Sequence, residues 1–127
     1  MSIAKLRKKV HFQLRNQIAN LVPLRTSDMI KHIVMWKLKP EAEGHTAKEN
    51  ASWMKEHLEA LLGTVPELKS CHVGINIGPE DNCEACLEST FESMEDLGKY
   101  KVHPEHVKVS SYCKLVRESR VACDFEI

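Results

Sequence analysis

The sequence predicts an α+β fold of the ferredoxin-like type, a four-stranded antiparallel sheet with its helices on one face. Three observations carry that prediction. Apolar residues recur at strand period in four segments and at helical period in two others, in the order β-α-β-β-α-β. A capping box, Thr46-x-x-Glu49, opens the first helical segment. The connection between the second and third strand segments is short enough for a hairpin, which makes that pair antiparallel.

A first strand is expected over residues 31–39, where His32, Val34, Trp36 and Leu38 alternate with Ile33 and Met35 until Pro40 closes the run. After the capping box, Ala47, Ala51, Met54, Leu58, Leu61 and Leu62 keep helical spacing up to Gly63 and Pro66. A second strand is expected over 71–77, with Cys71, Val73, Ile75 and Ile77 opposed to His72, Gly74 and Asn76. A third, over 84–92, sets Ala85, Leu87, Ser89 and Phe91 against Cys86, Glu88, Thr90 and Glu92. Ser93 then caps a helix with Glu95 and Asp96 in its first turn and Leu97 and Tyr100 on its apolar side. His103-Pro104-Glu105-His106 restarts that helix, since proline suits the first helical position, and Val107, Val109, Tyr112, Cys113 and Val116 continue the stripe. A last strand over 120–127 alternates Val121, Cys123, Phe125 and Ile127 with acidic residues.

Because these strands carry apolar residues on both faces, a monomer would leave an exposed patch larger than soluble proteins usually carry. The expected solution is a homodimer through the sheet faces, a dimeric α+β barrel closed across a two-fold axis.

The charge pattern divides the chain. Its 127 residues carry 18 Lys+Arg and 18 Asp+Glu, a net charge of zero, which argues against a strongly basic nucleic-acid binder. The zero is a sum of unlike parts. Residues 1–28 hold Lys5, Arg7, Lys8, Lys9, Arg15 and Arg25 against Asp28 alone, a net of +5, and residues 29–127 hold a net of −5. In the first part Ile3, Leu6, Val10, Leu14, Ile18 and Leu21 keep helical spacing up to Pro23, so 1–28 is expected to be a basic amphipathic N-terminal extension. An Arg-rich targeting segment is one reading, but the favoured ones are an artefactual stretch upstream of a natural start at Met29, or a docking helix, in preference to a membrane-binding one. Residues 29–127 form the folded domain.

No apolar run approaches the roughly 20 residues of a spanning helix, so no membrane partner is expected. Five cysteines, Cys71, Cys83, Cys86, Cys113 and Cys123, without a secretory signal point to free thiols and a cytoplasmic location. Cys83-x-x-Cys86 has no second half at zinc-finger spacing and precedes no helix, so it is read as a loop cysteine and a strand cysteine.

The segments 29–39, Pro66-Glu-Leu-Lys69, Val73-Gly-Ile-Asn76, Phe91-Glu-Ser-Met-Glu-Asp-Leu97, Tyr100-Lys-Val-His-Pro-Glu-His106 and 117–125 together resemble the stress-responsive A/B barrel (Dabb) family, across essentially all of 29–127. The resemblance implies a dimeric α+β barrel and no cofactor. Most bacterial-type members have no assigned activity, so an uncharacterised, stress-associated dimeric protein is the first expectation. Plant members include cofactor-free polyketide cyclases that catalyse an intramolecular aldol condensation. The strand-one histidine of that type matches His32, its tyrosine matches Tyr100, and the second histidine of H-P-x-H matches His106. Its strand-three histidine falls on Ala85, which puts the same substrate in doubt.

The residues themselves fit general acid–base chemistry. A histidine near neutrality abstracts a proton, and a tyrosine hydroxyl orients the substrate or stabilises an enolate. His106 is therefore the expected base, with Tyr100 and His32 orienting, and His103, Trp36, Leu87 and Phe91 are expected to line a pocket for a small hydrophobic ligand. A pocket sealed by Trp36, Leu87 and Phe91 would argue against catalysis. The alternative is structural: His103 to His106 is a good helix restart, with Pro104 turning His103 toward the cap, and His32 is then a hydrogen-bonded core histidine. Metal binding by His103 and His106 is disfavoured because two ligands do not make a site. A monooxygenase of the wider α+β barrel type rests on architecture alone.

Overall fold

A computed structural model describes Ser2, Ile3 and residues 29–127; apart from those first two, the expected amphipathic extension lies outside the described residues. From the N-terminal side the elements are β1 (Ile30–Leu38), β2 (Glu41–Ala42), β3 (His45–Thr46), α1 (Ala47–Glu59), β4 (Ser70–Ile75), β5 (Ala85–Phe91), α2 (Met94–Val102), α3 (Pro104–Val116) and β6 (Arg117–Glu126). Four strands form one sheet in the order β4-β5-β1-β6, every neighbouring pair antiparallel. This is the ferredoxin-like α+β fold, with the first strand central and the last on an edge.

Alternation along β1 divides the two faces. Ile30, His32, Val34, Trp36 and Leu38 are buried toward the helices, and Ile33 and Met35 point the other way. Register carries the same division across the sheet, because Val34 lies opposite Leu87 on one side and Ala122 on the other. Met54 and Leu58 of α1, Leu97 and Tyr100 of α2, and Val109, Cys113 and Val116 of α3 fill the space above.

Local chemistry explains the helix limits. Thr46 accepts from the Glu49 N–H and the Glu49 carboxylate accepts from the Thr46 N–H, so both halves of the capping box form. α1 stops at Glu59, short of the expected end near Leu62, and the chain turns through Gly63 at φ 89°. Leu61, Val65 and Leu68 of that turn join the core. Proline splits the second helical stretch in two: His103 is extended at φ −61°, ψ 132°, ending α2 and capping α3.

Three further features differ from the sequence expectation. A two-residue hairpin, β2–β3, turns through Glu43 and Gly44, both at positive φ as a type I′ turn requires. Buried Asn50 fastens it, donating to the Ala42 carbonyl at 3.1 Å while accepting from the Tyr112 hydroxyl at 2.6 Å. β6 begins at Arg117, directly after α3, with a register irregularity opposite Lys37 and Leu38. The outer sheet face is apolar over only half its width. Met35 faces Val121 and Ile33 faces Cys123, whereas β4 and β5 present Ser70, His72, Glu88 and Thr90 there, with Lys31 paired to Glu88 at 2.6 Å.

Phe91, fully buried against the Tyr100 ring at a centroid distance of 5.0 Å, ties the sheet to α2. Truncation to alanine is expected to lower the unfolding free energy by about 3–5 kcal/mol, and Thr46→Ala by about 1 kcal/mol through the lost cap. Urea titration measures both, and an unchanged midpoint for Phe91→Ala would contradict this core.

Candidate functional site

His32, Tyr100 and His106 come from three different elements and meet at one cavity of about 60 Å³ between the sheet and the α2–α3 corner. β1 places His32 on the helix side, 4% exposed, where the β6 register sets Asp124 directly across from it. The His32 Nδ1–H donates to the Asp124 carboxylate, a buried imidazole held by a charge-assisted bond. That bond fixes the tautomer and leaves Nε2 as an acceptor. Burial pulls the His32 pKa below its ordinary value, against the upward pull of Asp124.

His106 sits in the first turn of α3, and its Nδ1 lies 3.0 Å from the Lys101 carbonyl oxygen. A carbonyl only accepts, so Nδ1 carries the proton and Nε2 does not. The contact also satisfies one of the carbonyls left open at the end of α2. Burial lowers the His106 pKa, and His32, Arg120 and Lys101 lower it further by repulsion of the imidazolium, while the Lys101 carbonyl opposes them. The result is a neutral imidazole at pH 7 with one basic nitrogen.

Tyr100 is 1% exposed and packs its ring on His106 at a centroid distance of 4.2 Å. Among the described residues no group hydrogen-bonds its hydroxyl. Burial raises its pKa well above the usual phenol range, so it stays an O–H donor. Cys113, also lining the cavity, is pushed up to about 11 by burial and stays a thiol.

The remaining expected site residues separate into two groups. Trp36 and Leu87 line the cavity. Phe91 stands behind it, edge-on to His32 with ring centroids 6.4 Å apart. His103 lies at the helix junction instead, where its Nδ1 accepts from the Glu105 N–H at 3.1 Å. Three participants escaped the sequence reading: Asp124, Arg117 and Arg120, all on β6. The signal for Asp124 was its place among the helix-facing positions of the last strand, but only pairing register joins it to His32.

Larger clefts elsewhere are lined by groups already engaged. Asn50 and Tyr112 in one are bonded to each other, and Lys37 and Glu84 in another form an ion pair at 3.0 Å. Among the described residues no group of three or more His, Cys, Asp or Glu could hold a metal, and no helix is long and apolar enough to cross a membrane. Cys83 lies before β5 and Cys86 within it, both as free thiols.

Known proteins resemble this chain in sequence and in fold. Olivetolic acid cyclase from Cannabis sativa is 28% identical over 81 residues, 61% of this chain and 76% of that protein. A dimeric protein of unknown function with a ferredoxin-like fold from Bacteroides fragilis superposes with a TM-score of 0.69 at 31% identity, over 79% of this chain and 97% of that one. The hydroxynitrile lyase from Passiflora edulis, 20% identical, shares the fold at a TM-score of 0.65 over 80% of this chain and 95% of that one. Residues 30–127 match the family model for the stress responsive A/B barrel domain (Dabb), and by that match the chain belongs to the stress responsive A/B barrel family.

Proposed function

We propose that this domain is a cofactor-free acid–base catalyst acting on a small carbonyl compound, with His106 as the base. One observation carries the proposal: the Lys101 carbonyl engages His106 Nδ1 and leaves Nε2 basic, on a ring that shares a cavity with the Tyr100 hydroxyl. In the proposed step the substrate carbonyl oxygen accepts a hydrogen bond from Tyr100, and His106 Nε2 takes a proton from the adjacent carbon. The C–H electron pair moves into an enolate, which Tyr100 stabilises; the imidazolium then returns the proton to carbon, or the enolate attacks a second carbonyl and the imidazolium gives its proton to the alkoxide that forms. His32, oriented by Asp124, positions the substrate from the sheet side.

The similarity to a cyclase supports this chemistry, and the cavity limits its scale. A volume of about 60 Å³ takes roughly two waters, so only the reacting end of a substrate enters it. A non-catalytic, stress-associated role, with His32 and His106 as hydrogen-bonded core residues, is the competing reading. Proton exchange separates the two.

In deuterium oxide the protein is expected to exchange the protons next to the carbonyl of small ketones and oxo acids, followed by proton NMR. His106→Ala should slow this by about a hundredfold or more, and Tyr100→Phe by less. The rate should rise with pH and level off at a lower pH than it would for a free imidazole, because burial and the repulsion of His32, Arg120 and Lys101 lower the His106 pKa from its ordinary value of 6.5. The same depression links to stability. The unfolded chain binds this proton more readily, so stability is fully present above pH 6.5 and falls as the pH drops through the folded-state value. A protein that exchanges none of these compounds is not this catalyst.

The assembly we propose is a homodimer through the apolar half of the outer sheet face, where Met35, Val121 and Phe125 are 41%, 55% and 43% exposed. Dimeric relatives of the same fold support it, and free thiols at all five cysteines fit a cytoplasmic setting. Sedimentation equilibrium should find a dimer at micromolar concentration, with Val121→Asp and Phe125→Asp shifted toward monomer. A wild-type monomer would rule this interface out.

A further inference from the structure

The cavity has an excess of positive charge that no group among the described residues neutralises. Arg117 and Arg120 line it from β6, and Lys101 acts electrostatically on both imidazoles from α2. The carboxylate that faces them, Asp124, is bonded to His32. Among the described residues no carboxylate pairs with Arg117 or Arg120. Elsewhere on the surface, cations with an acid nearby are paired: Lys31 with Glu88, Lys37 with Glu84, Lys55 with Glu59, Lys108 with Glu105. The concentration of cations also runs against the net −5 of residues 29–127. An uncompensated pair of guanidinium groups beside a cavity is a site for an anion.

Position defines which part of a ligand the anion belongs to. Arg120 is opposite Trp36, on the same sheet face as Asp124, with only the small, exposed Ala122 between them. β6 is exposed along nearly its whole length, so Arg120 stands at the open side and His32, Tyr100 and Leu87 at the closed side. A ligand entering here keeps its charged end at β6 while its other end reaches the two imidazoles.

We propose that the site takes a small oxo acid, with Arg120 binding the carboxylate as a specificity-determining residue and Arg117 flanking it. This deepens the acid–base function proposed above and rests on it. The carboxylate accepts two N–H groups from the planar guanidinium fork, and the carbonyl beside it comes within reach of Tyr100. The carbon next to that carbonyl then lies toward His106. A short acid with its carbonyl next to the carboxylate fits a cavity of about 60 Å³, since the carboxylate stays outside it.

The test compares 2-oxobutanoate with 2-methylpentan-3-one, a neutral ketone of the same shape in which an isopropyl group replaces the carboxylate. Binding is read from the ring signals of His32 and His106 by NMR, and catalysis from deuterium exchange at the methylene group. The expected result is stronger binding of 2-oxobutanoate, weakened about tenfold by Arg120→Leu and partly restored by Arg120→Lys, with the acid-to-ketone exchange ratio falling in step. Equal binding of the two compounds, or affinity for the acid untouched by Arg120→Leu, overturns the carboxylate assignment even if exchange persists. Arg120-dependent binding without exchange of either compound supports the carboxylate site and rejects the base. Arg120 is exposed, so its variants keep the fold.

Discussion

The double pairing of β1 is the constraint on which the rest depends. It is hydrogen-bonded to β5 on one side and β6 on the other, so neither edge can slip without breaking two ladders. A shift of one residue would expose Val34, Trp36 and Leu38 and bury Lys31, Lys37 and Met35. Burial of the first set against three helices therefore determines the orientation of His32 as firmly as that of its apolar neighbours. It also determines what His32 meets: Ser89 on β5, buried beside it, and Asp124 on β6. The buried imidazole and its carboxylate follow from sheet register rather than from any local motif.

The second fixed point is the corner between α2 and α3. Proline at position 104 ends one helix and starts the next, which leaves carbonyls open at the end of α2 and N–H groups open at the start of α3. Two histidines three residues apart serve opposite ends: His103 accepts from the Glu105 N–H, and His106 donates to the Lys101 carbonyl. The two must be different tautomers at Nδ1, unprotonated in His103 and protonated in His106. The helix-restart reading and the catalytic reading of this motif are thus compatible. The structural bond made by His106 is what selects the nitrogen left for chemistry.

Much of this was legible before any coordinates. Strict alternation over 31–39 puts His32 with Val34, Trp36 and Leu38, and the proline between the later histidines turns His103 to the cap. The acid partner was not legible, because an edge strand exposed on both faces has no burial pattern to align it with β1. Arg117 fell outside the expected last strand, since the irregularity opposite Lys37 and Leu38 lets that strand start three residues early. The β2–β3 hairpin has two-residue strands, too short for any period to show. Apolar residues on the outer face were foreseen as a broad patch, yet Glu88, His72 and Thr90 confine it to β1 and β6.

Charge and basicity at the cavity are coupled. Desolvation alone would make His106 a weak base, and the repulsion of Arg120, Lys101 and His32 weakens it further. An ideal general base has a pKa near the working pH, so the protein's own groups hold His106 below that value. An anion bound at Arg120 changes the balance, because its negative charge offsets the cation that disfavours the imidazolium. By linkage, a ligand that raises the proton affinity of His106 must itself bind more tightly to the protonated form. In the proposed reaction the arginine then has two effects: it selects a carboxylate, and through that carboxylate it raises the basicity of the proposed base, His106. A neutral ligand of the same shape would receive neither benefit, so on this proposal the charge of the substrate, more than its size, distinguishes it in this site.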